Sequence, residues 1–195
     1  MRLKILAQAH DHFLNLGYAG AKLRNIARDA GVTTGALYHH FTGKDELFVE
    51  VCLQGFEILK RRFETAEKMT DGRPPEERIV ALFDAYVAFF VEHRGYYELI
   101  ERLQFQEKRL PIPEELVRKA EAASRQAIEP MIRVLTEPPM GLDDSQVMGR
   151  VLLMVCFAEG LFQCMRKGLL ERSGVPFGDI RALVLSKVSA ILENE

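Results

Sequence analysis

The segment GVTTGALYHHF, residues 31–41, gathers side chains that recognise polar partners within an otherwise helical pattern. Thr33 and Thr34 carry hydroxyls, Tyr38 carries a phenol, and His39 and His40 carry imidazoles. Such groups form hydrogen bonds, which suits a surface that binds a large polar molecule. The two histidines are adjacent, so on a helix they point about 100° apart and do not form a metal-ligand pair. The segment therefore predicts a binding surface more than a metal centre.

Placed on a helix, this segment has one apolar face and one open face. Leu37 and Phe41 are four residues apart and lie within about 40° of each other, as core residues do. The opposite face begins with small residues, which let a helix backbone approach another surface closely, and ends with larger donors and acceptors. Its residues are Gly35, Ala36, Tyr38 and His39. Thr33 is the predicted N-cap, and the free N–H groups of the first turn can face an anion.

A second short helix precedes this one and ends at a glycine. Ala27 permits close packing of the two helices, and Gly31, four residues later, supplies the left-handed residue that turns the chain sharply. Two short helices joined in this way describe a helix-turn-helix, whose second helix enters the major groove of DNA. Contacts with phosphates position such a protein without reading sequence. Candidates for these contacts are Lys4, Lys22, Arg24 and Lys44.

A longer series of residues at fixed spacing runs through the first 50 positions. It consists of Ile5-Leu6-x-x-Ala9, Phe13, Gly17-Tyr18, Ile26-Ala27-x-x-Ala30-Gly31-Val32, Gly35-x-Leu37-Tyr38-x-His40-Phe41 and Lys44-x-x-Leu47. This series resembles the DNA-binding domain of the tetracycline-repressor (TetR) family of bacterial transcription regulators. The resemblance covers about a quarter of the chain. The remainder matches that family only in size and helix number.

The resemblance implies roles for individual side chains. Thr34, Gly35 and Tyr38 would face DNA bases, while Thr33, the two histidines and the start of the helix at Lys44 would meet phosphates. The complete set of predicted DNA contacts is Lys22, Arg24, Thr33, Thr34, Gly35, Ala36, Tyr38, His39, His40 and Lys44.

The sequence departs from the family pattern at two of these places. The family usually has Thr or Ser at the start of the second helix, where this chain has Ala21 and Lys22. A hydroxyl cap worth about 1 kcal/mol is then absent, and one phosphate contact would pass to Lys22. Position 34 is often a long basic or polar residue in the family. Here it is threonine, whose methyl group suits a thymine methyl and whose hydroxyl discriminates little between bases.

Charge is distributed unevenly along the 195 residues. The formal net charge is −2, which argues against a protein that coats nucleic acid through general basicity. Residues 1–48 nevertheless carry a net charge of +2, and four of the five histidines lie in the first 40 positions. We therefore expect the N-terminal end to meet an anion.

The cysteines and the apolar runs bear on the compartment. Cys52, Cys156 and Cys164 are odd in number and have no framework spacing, which favours a reducing compartment. Cys156 and Cys164 lie in apolar surroundings and are expected to be small buried hydrophobes, with a redox sensor as the alternative. The longest apolar run, from Val151 to Ala158, is far short of the ~20 residues that span a bilayer. No signal peptide is expected, so a cytoplasmic location is predicted.

The hydrophobic pattern predicts an all-α fold of about nine helices. Residues 1–46 are assigned to a three-helix DNA-binding domain and residues 47–195 to a helical ligand-binding and dimerisation domain. Gly17 should end the first helix, whose apolar repeat is Leu3, Leu6, Ala9, Phe13 and Leu16. Pro130 is a predicted kink, and Asp143 with Gln146 forms a predicted capping box.

The C-terminal half contains two helices that a single chain would not bury easily. The run from Val151 to Ala158 is apolar nearly all round, as in a helix buried on several sides. The last helix has its own apolar stripe. A homodimer would bury both, through helices at about 143–168 and 179–194, and would read two half-sites of a palindromic operator. A monomer that hides both within its own core is the alternative.

The middle helices are rich in aromatic residues and methionine. This pattern describes a core first, and the resemblance makes a ligand cavity among these helices an expectation. The candidate residues are Tyr86, Phe89, Phe90, Tyr97, Glu101, Phe105, Met131, Met154, Phe157, Glu159 and Phe162. Glu159 would bind a cationic or hydroxylated ligand, pair with an arginine, or cap the dimer seam.

These patterns together predict a repressor that a small apolar or aromatic ligand releases from DNA. The ligand would favour a conformation with wrongly spaced reading heads, and the helix from Lys44 would act as the lever. Activation, or a ligand acting as co-repressor, stays open. Control by a protein partner or by none is a further alternative. A helical enzyme or carrier is disfavoured because no nucleophile–base or metal constellation stands out, so no cofactor is expected.

Overall fold

The computed structural model describes residues 1–104, 110–138 and 140–193, with side chains described up to residue 188. These residues form ten helices and no strand. The helices are α1 (Arg2–Gly20), α2 (Leu23–Asp29), α3 (Thr34–His40), α4 (Lys44–Met69), α5 (Pro75–Glu92), α6 (Arg94–Gln104), α7 (Glu114–Thr136), α8 (Asp144–Arg166), α9 (Leu169–Ser173) and α10 (Phe177–Glu193). The all-α expectation is confirmed.

The chain divides into two compact units. The first comprises Met1–Ile58 and Glu92–Gln126, and the second comprises Leu59–Val91 and Ala127–Glu195. Helices α4 and α7 each have residues in both units. The predicted functional division after residue 46 therefore falls inside the first unit, and it stays a prediction.

The core of the first unit forms where α1 meets α4. The ring of Phe13 lies edge-on to Phe48, with 5.0 Å between ring centroids. Tyr18 contacts the same Phe48 ring at 5.4 Å. The apolar face of α1 that reaches this core consists of Ile5, Leu6, Ala9 and Phe13, all fully buried.

Helix α6 packs closely against both α1 and α4 at positions that lack a side chain. A Cβ at Gly95 of α6 would lie 2.6 Å from Nε2 of His10 on α1. A Cβ at Gly55 of α4 would lie 2.9 Å from Cδ1 of Ile100 on α6. Real Cβ atoms do not approach other atoms so closely, so a side chain at either position would displace its neighbours, and these two contacts favour glycine. They fix the position of α6 on the other two helices of the unit.

The second unit packs aromatic rings from α5 against α8. Phe90 and Phe162 stack at 3.6 Å between centroids, with 9° between ring planes, and Tyr86 approaches Phe162 at 5.8 Å. Met154 is buried about two turns earlier on α8. The predicted capping box is present at the start of α8, where Asp143 accepts from the Gln146 backbone N–H and the Gln146 side chain accepts from that of Asp143.

Several sequence-based expectations need correction. Gly17 does break helical geometry, with φ 68° and ψ 173°, but α1 continues to Gly20 after this bend. Leu3 and Leu16 are exposed, because they lie beside the buried stripe of α1 and not on it. The described residues contain ten helices where about nine were predicted. The additional helix is α9, a separate turn of five residues between two left-handed glycines.

Helix α8 is less enclosed than its composition suggests. Val151, Met154 and Ala158 are buried, whereas Leu152 and Leu153 are exposed. Burial of residues 151–158 on several sides within a single chain, the alternative to the dimer, is therefore not found. By length and composition alone, α8 passes the test for a membrane-crossing helix. This test applies to all of α8, whereas the apolar run covers eight residues only. The inner face of α8 packs in the core of the second unit.

Candidate nucleic-acid interface

The turn between α2 and α3 has the predicted geometry. Gly31 adopts φ 69°, in the left-handed region that glycine tolerates. The N–H of Val32 donates to the Ala27 carbonyl at 2.9 Å, and the N–H of Gly31 donates to the Arg28 carbonyl at 3.0 Å. Ala27 is buried against its neighbours. The chain thus reverses within a few residues and presents α3 next to α2.

Helix α3 is anchored on one side and capped at its start. Leu37 and, just after the helix, Phe41 are buried, as predicted. Thr33 is the N-cap, and its Oγ1 accepts a hydrogen bond from the Ala36 N–H at 3.1 Å. The cap uses the hydroxyl oxygen as an acceptor and satisfies one of the free N–H groups of the first turn.

The outer face of α3 is open. Tyr38 is 54% exposed, an unusual position for so large a ring. Gly35 and His39 are exposed beside it, while Thr34, Ala36 and His40 are partly buried. The rings of His39 and His40 meet at 5.5 Å between centroids. The structure thus places every predicted base-contacting residue on α3, with small residues at its start and rings towards its end.

The flanking cations differ in their surroundings. Lys22 and Arg24 are exposed at the start of α2. Lys22 is the N-cap of α2 and makes no side-chain cap hydrogen bond, which agrees with the expected absence of a hydroxyl cap. Lys44 is engaged within the protein: its Nζ donates to the Ala19 carbonyl at 3.2 Å and lies 4.7 Å from the centroid of the Tyr18 ring. Burial lowers the pKa of Lys44 despite the nearby charge of Asp45.

The turn from α3 into α4 is fixed by Glu46. Its carboxylate accepts from the Thr42 N–H at 2.6 Å and from the Thr42 hydroxyl at 2.7 Å. These two hydrogen bonds, from the hydroxyl and from the backbone, lower the pKa of Glu46. One residue earlier on the helix, Asp45 accepts from the hydroxyl of Tyr18. Burial and this acidic partner raise the pKa of Tyr18 well above its ordinary value.

A hydrogen-bonded charge cluster links α1 to α2. Nε2 of His12 lies 2.8 Å from Oδ2 of Asp29, and Nε of Arg28 donates to Oδ1 of the same carboxylate at 2.8 Å. The bond from Arg28, and after it the bond from His12, lower the pKa of Asp29. Among the described residues, no group of three His, Cys, Asp or Glu side chains is arranged to hold a metal ion.

The predicted ligand-contacting residues fall into both compact units. Tyr97 and Glu101 belong to the first unit, and Phe105 lies outside the described residues. The other described members belong to the second unit: Tyr86, Phe89, Phe90, Met131, Met154, Phe157, Glu159 and Phe162. Of these, Phe89, Phe90, Met131, Met154 and Phe162 are buried. Burial raises the pKa of Glu159, against the opposing effect of Arg166. The assembly of these residues into one pocket stays a prediction.

An open apolar groove lies along α8. Its volume is about 320 Å³, and it is formed within the second unit by α8, α9 and α10. Its lining residues are Cys156, Phe157, Gly160, Leu161, Cys164, Leu170, Ile180 and Val184. Phe157 thus faces this groove. Cys156 is exposed and Cys164 is partly buried, contrary to the expectation that both are buried. Cys52, in contrast, is fully buried.

One well-defined polar contact of the first unit was not predicted from the sequence. Nη1 of Arg102, on α6, donates to the carbonyls of Phe13 at 3.0 Å and Leu14 at 3.4 Å, near the bend of α1. The sequence pattern does not predict this contact. The only available signal was Gly17, since a helix that breaks there leaves carbonyl groups that need donors.

The fold and the turn geometry together define a class: over the described residues, an all-helical protein with an N-terminal helix-turn-helix. Residues 5–51 match the family described as bacterial regulatory proteins, tetR family. The transcriptional repressor KstR2 of Mycolicibacterium smegmatis is 31% identical over 93 residues, which cover 48% of this chain and 44% of KstR2. These matches show that the N-terminal segment of the chain is similar to regulatory proteins of the tetR family.

Beyond that segment the similarity is one of fold. A protein of unknown function from Rhodococcus sp. RHA1 has a TM-score of 0.74 at 24% identity, covering 98% of this chain and 92% of that one. The regulator FadR of Bacillus subtilis, whose structure holds stearoyl-CoA, has a TM-score of 0.74 at 14% identity, with 97% and 98% covered. The chain matches its curated relatives over only 26% to 54% of their own lengths.

Proposed function

We propose that this protein is a sequence-specific DNA-binding transcriptional regulator that acts as a homodimeric repressor on a palindromic operator in the cytoplasm. A small apolar or aromatic ligand releases it from DNA. The observation that carries the proposal is the open face of α3, where an exposed Tyr38 stands on a helix that is anchored by Leu37 and capped by Thr33.

Base reading is assigned to the outer face of α3. Gly35 lets the start of the helix approach the floor of the major groove, which admits an α-helix. Thr34 offers a methyl group and a hydroxyl, and Tyr38 offers a ring and a phenol, to the base edges. The apolar anchor on the opposite face supports this role, because it fixes the orientation of the open face.

Phosphate binding is assigned to the exposed cations at the start of α2 and to both ends of α3. Lys22 and Arg24 are free to reach a backbone on one side, and His39 lies on the other. Because the amine of Lys44 is bonded to the Ala19 carbonyl, we assign the phosphate contact near it to the N–H groups at the start of α4. This refines the sequence-based role of Lys44.

Dimerisation is assigned to the outward faces of α8 and α10. Large apolar side chains are exposed along both helices, at Met148, Leu152, Leu153 and Leu183. An exposed apolar surface of this kind marks an interaction site. A two-fold dimer covers the same patch on each copy and presents two reading heads, which suits a palindromic operator.

The ligand is assigned to the aromatic and methionine-rich interior of the second unit. Phe89, Phe90, Met131, Met154 and Phe162 supply an apolar lining, and a half-buried Glu159 lies on the same helix as Phe162. The FadR structure with stearoyl-CoA supports a long apolar chain as the first class to test. Stearoyl-CoA and free stearate are suitable probes, each read by thermal shift and by release of the protein from DNA.

The DNA proposal is tested by selecting genomic fragments with the purified full-length protein, followed by footprinting and a salt series. We expect protection of a palindrome, and an affinity that falls with rising salt because phosphate contacts release counterions. Tyr38→Ala should weaken specific binding by about 1–3 kcal/mol while leaving thermal stability unchanged. Met69→Ala, at an exposed residue outside the helix-turn-helix, is the matched control. Weak binding without sequence preference would contradict the proposal.

A further inference from the structure

Arg102 supplies hydrogen-bond donors to the end of the straight part of α1. Its Nη1 lies 3.0 Å from the Phe13 carbonyl oxygen and 3.4 Å from that of Leu14. Helical geometry breaks three residues later, at Gly17. The last four carbonyls before such a break lack their usual helical partners and carry the negative end of the helix dipole. A guanidinium at this point supplies hydrogen-bond donors to these carbonyls and a positive charge near the negative end of the dipole. Glu98, one turn earlier on α6, lies 3.8 Å from Nη2 of the same guanidinium.

The approach of α6 to α1 is fixed by close packing near the other end of α6. The missing side chain of Gly95 makes room for the His10 ring, which also contacts Tyr96 at 4.4 Å between ring centroids. Gly55 makes similar room on α4. Since α6 has this defined position, Arg102 holds the carbonyls of α1 at a defined place.

The bend at Gly17 leads directly to the start of α4. Tyr18 follows the bend and donates its hydroxyl to Asp45. The carbonyl of Ala19 accepts from Lys44 at 3.2 Å. The residues just after the bend are thus bonded to the first two residues of α4, which follow α3 after a three-residue turn. All of these residues belong to the first unit.

We propose that Arg102 is a positioning residue: by capping the broken end of α1, it fixes the bend at Gly17 and so holds the start of α4 and the adjoining α3 in the orientation that reads DNA. This inference rests on the proposed function for its DNA readout only. Its structural part concerns the first unit and is measurable without DNA. It adds α6 to the elements that set the orientation of the reading head, beside the lever assigned to α4.

The experiment compares Arg102→Gln with Arg94→Gln in the full-length protein. Arg94 lies two turns earlier on α6 and pairs with the same Glu98 at 2.8 Å, so it is a matched control. Arg102→Lys keeps the positive charge and an N–H donor group, without the planar fork of the guanidinium, and should restore part of the effect. Amide hydrogen exchange is followed in residues 14–22 and 41–48, with residues 147–162 as the reporter of global unfolding. Affinity for the DNA selected by the wild-type protein is measured in parallel.

We expect Arg102→Gln to speed exchange in the first two segments by about tenfold and to weaken DNA binding by a similar factor, the scale of one charge-assisted hydrogen bond. Arg94→Gln should do neither. Unchanged exchange in residues 14–22 and 41–48, or equal acceleration in residues 147–162, overturns the inference. So does unchanged DNA affinity in a variant whose wild-type parent binds DNA. If the wild type selects no DNA, the proposed function fails and the exchange data alone decide the role of Arg102.

Discussion

Arg181 of α10 and Asp84 of α5 form a two-bond ion pair within the second unit. Nε of Arg181 lies 2.6 Å from Oδ1 of Asp84, and Nη2 lies 2.7 Å from Oδ2. The parallel geometry matches the fork of a guanidinium to the two oxygens of a carboxylate. This pair attaches α10, which carries part of the proposed dimer surface, to a helix that contributes Phe89 and Phe90 to the core.

Breaking this pair should loosen α10. Both side chains keep roughly a third of their surface exposed, so solvent screening limits the pair to about 1 kcal/mol despite its geometry. We expect Arg181→Met to lower the free energy of urea unfolding by that amount, and a double-mutant cycle with Asp84→Asn to assign the loss to the pair. Arg118→Met breaks a more exposed pair with Glu114 and should cost less. Equal losses in both variants would contradict the prediction.

The N-cap of α3 should be visible as a stability difference. Thr33→Ala removes the acceptor for the Ala36 N–H and should lower the free energy of unfolding by about 1 kcal/mol. Thr33→Ser keeps the oxygen and is expected to retain most of that stability in urea titrations. DNA affinity should fall in the alanine variant, because the first turn of α3 would be less stable. A serine variant as unstable as the alanine variant would exclude the cap as the cause.

Glu50 of α4 should make the stability of the protein depend on pH. Burial alone would raise the pKa of Glu50, but hydrogen bonds from Lys119 and Arg2 outweigh it and bring the pKa below the ordinary value of 4.5. Only 13% of its side chain is exposed. A carboxyl whose pKa is lowered by folding contributes stability above its unfolded pKa, and this contribution is lost as the pH falls through the folded pKa.

Glu50→Gln should therefore destabilise the protein by about 1–2 kcal/mol at neutral pH. Its difference from the wild type should shrink as the pH falls below 4.5. Urea unfolding at several pH values measures both effects. Glu114→Gln, at an exposed position on α7, is the control and should show little change at any of them. A deficit for Glu50→Gln that is the same at every pH would refute the electrostatic explanation.

The proposed dimer predicts a specific effect of a charge on α8. Leu152 is 60% exposed, so Leu152→Glu should not disturb the fold of one chain. Within the proposed interface it would bury an unpaired carboxylate and weaken association by about 2 kcal/mol or more. Light scattering after gel filtration should find a monomer where the wild type is a dimer. Leu3→Glu, at a leucine 72% exposed on α1, should remain dimeric.

Thiol labelling gives an independent reading of the same surface. Cys156 is exposed in a single chain and lies in the groove between α8 and α10, so the dimer should protect it. Labelling with iodoacetamide should be faster in Leu152→Glu than in the wild type. Cys52 should stay unlabelled in both, since it is fully buried and burial raises the pKa of its thiol. A wild-type protein that is monomeric at all concentrations, with Cys156 freely labelled, would contradict the dimer.

The helix-turn-helix could be predicted from the sequence because its signals are local. Gly31 requires a left-handed turn, Thr33 is a strong N-cap, and Leu37 with Phe41 marks the buried side of one short helix. Helix α9 was missed because its five residues are too few for a periodic pattern to emerge. The two faces of α8 could not be separated, since apolar residues occupy both.

Contacts between distant parts of the chain were beyond sequence reasoning. Arg102 meets the Phe13 carbonyl across 89 positions, and backbone carbonyls leave no trace in residue type. Glu50 accepts a hydrogen bond from Lys119 at 2.6 Å across 69 positions. The sequence contains many basic residues and does not show which of them pairs with Glu50. The ligand-contacting set was inferred from composition and resemblance, which describe an apolar interior without saying which residues surround a cavity.

The packing of Phe13 on Phe48 has a consequence for engineering hybrid regulators. A fusion that joins residues 1–46 to a foreign sensor would remove Phe48, and with it the ring on which Phe13 packs at 5.0 Å. It would also leave the Phe13 carbonyl without Arg102 and the His10 ring without its neighbour Gly95. Residues 1–46, the proposed DNA-binding head, are therefore not expected to fold correctly when transplanted alone. A working chimera would need to transplant α6 and the first half of α4 together with the head.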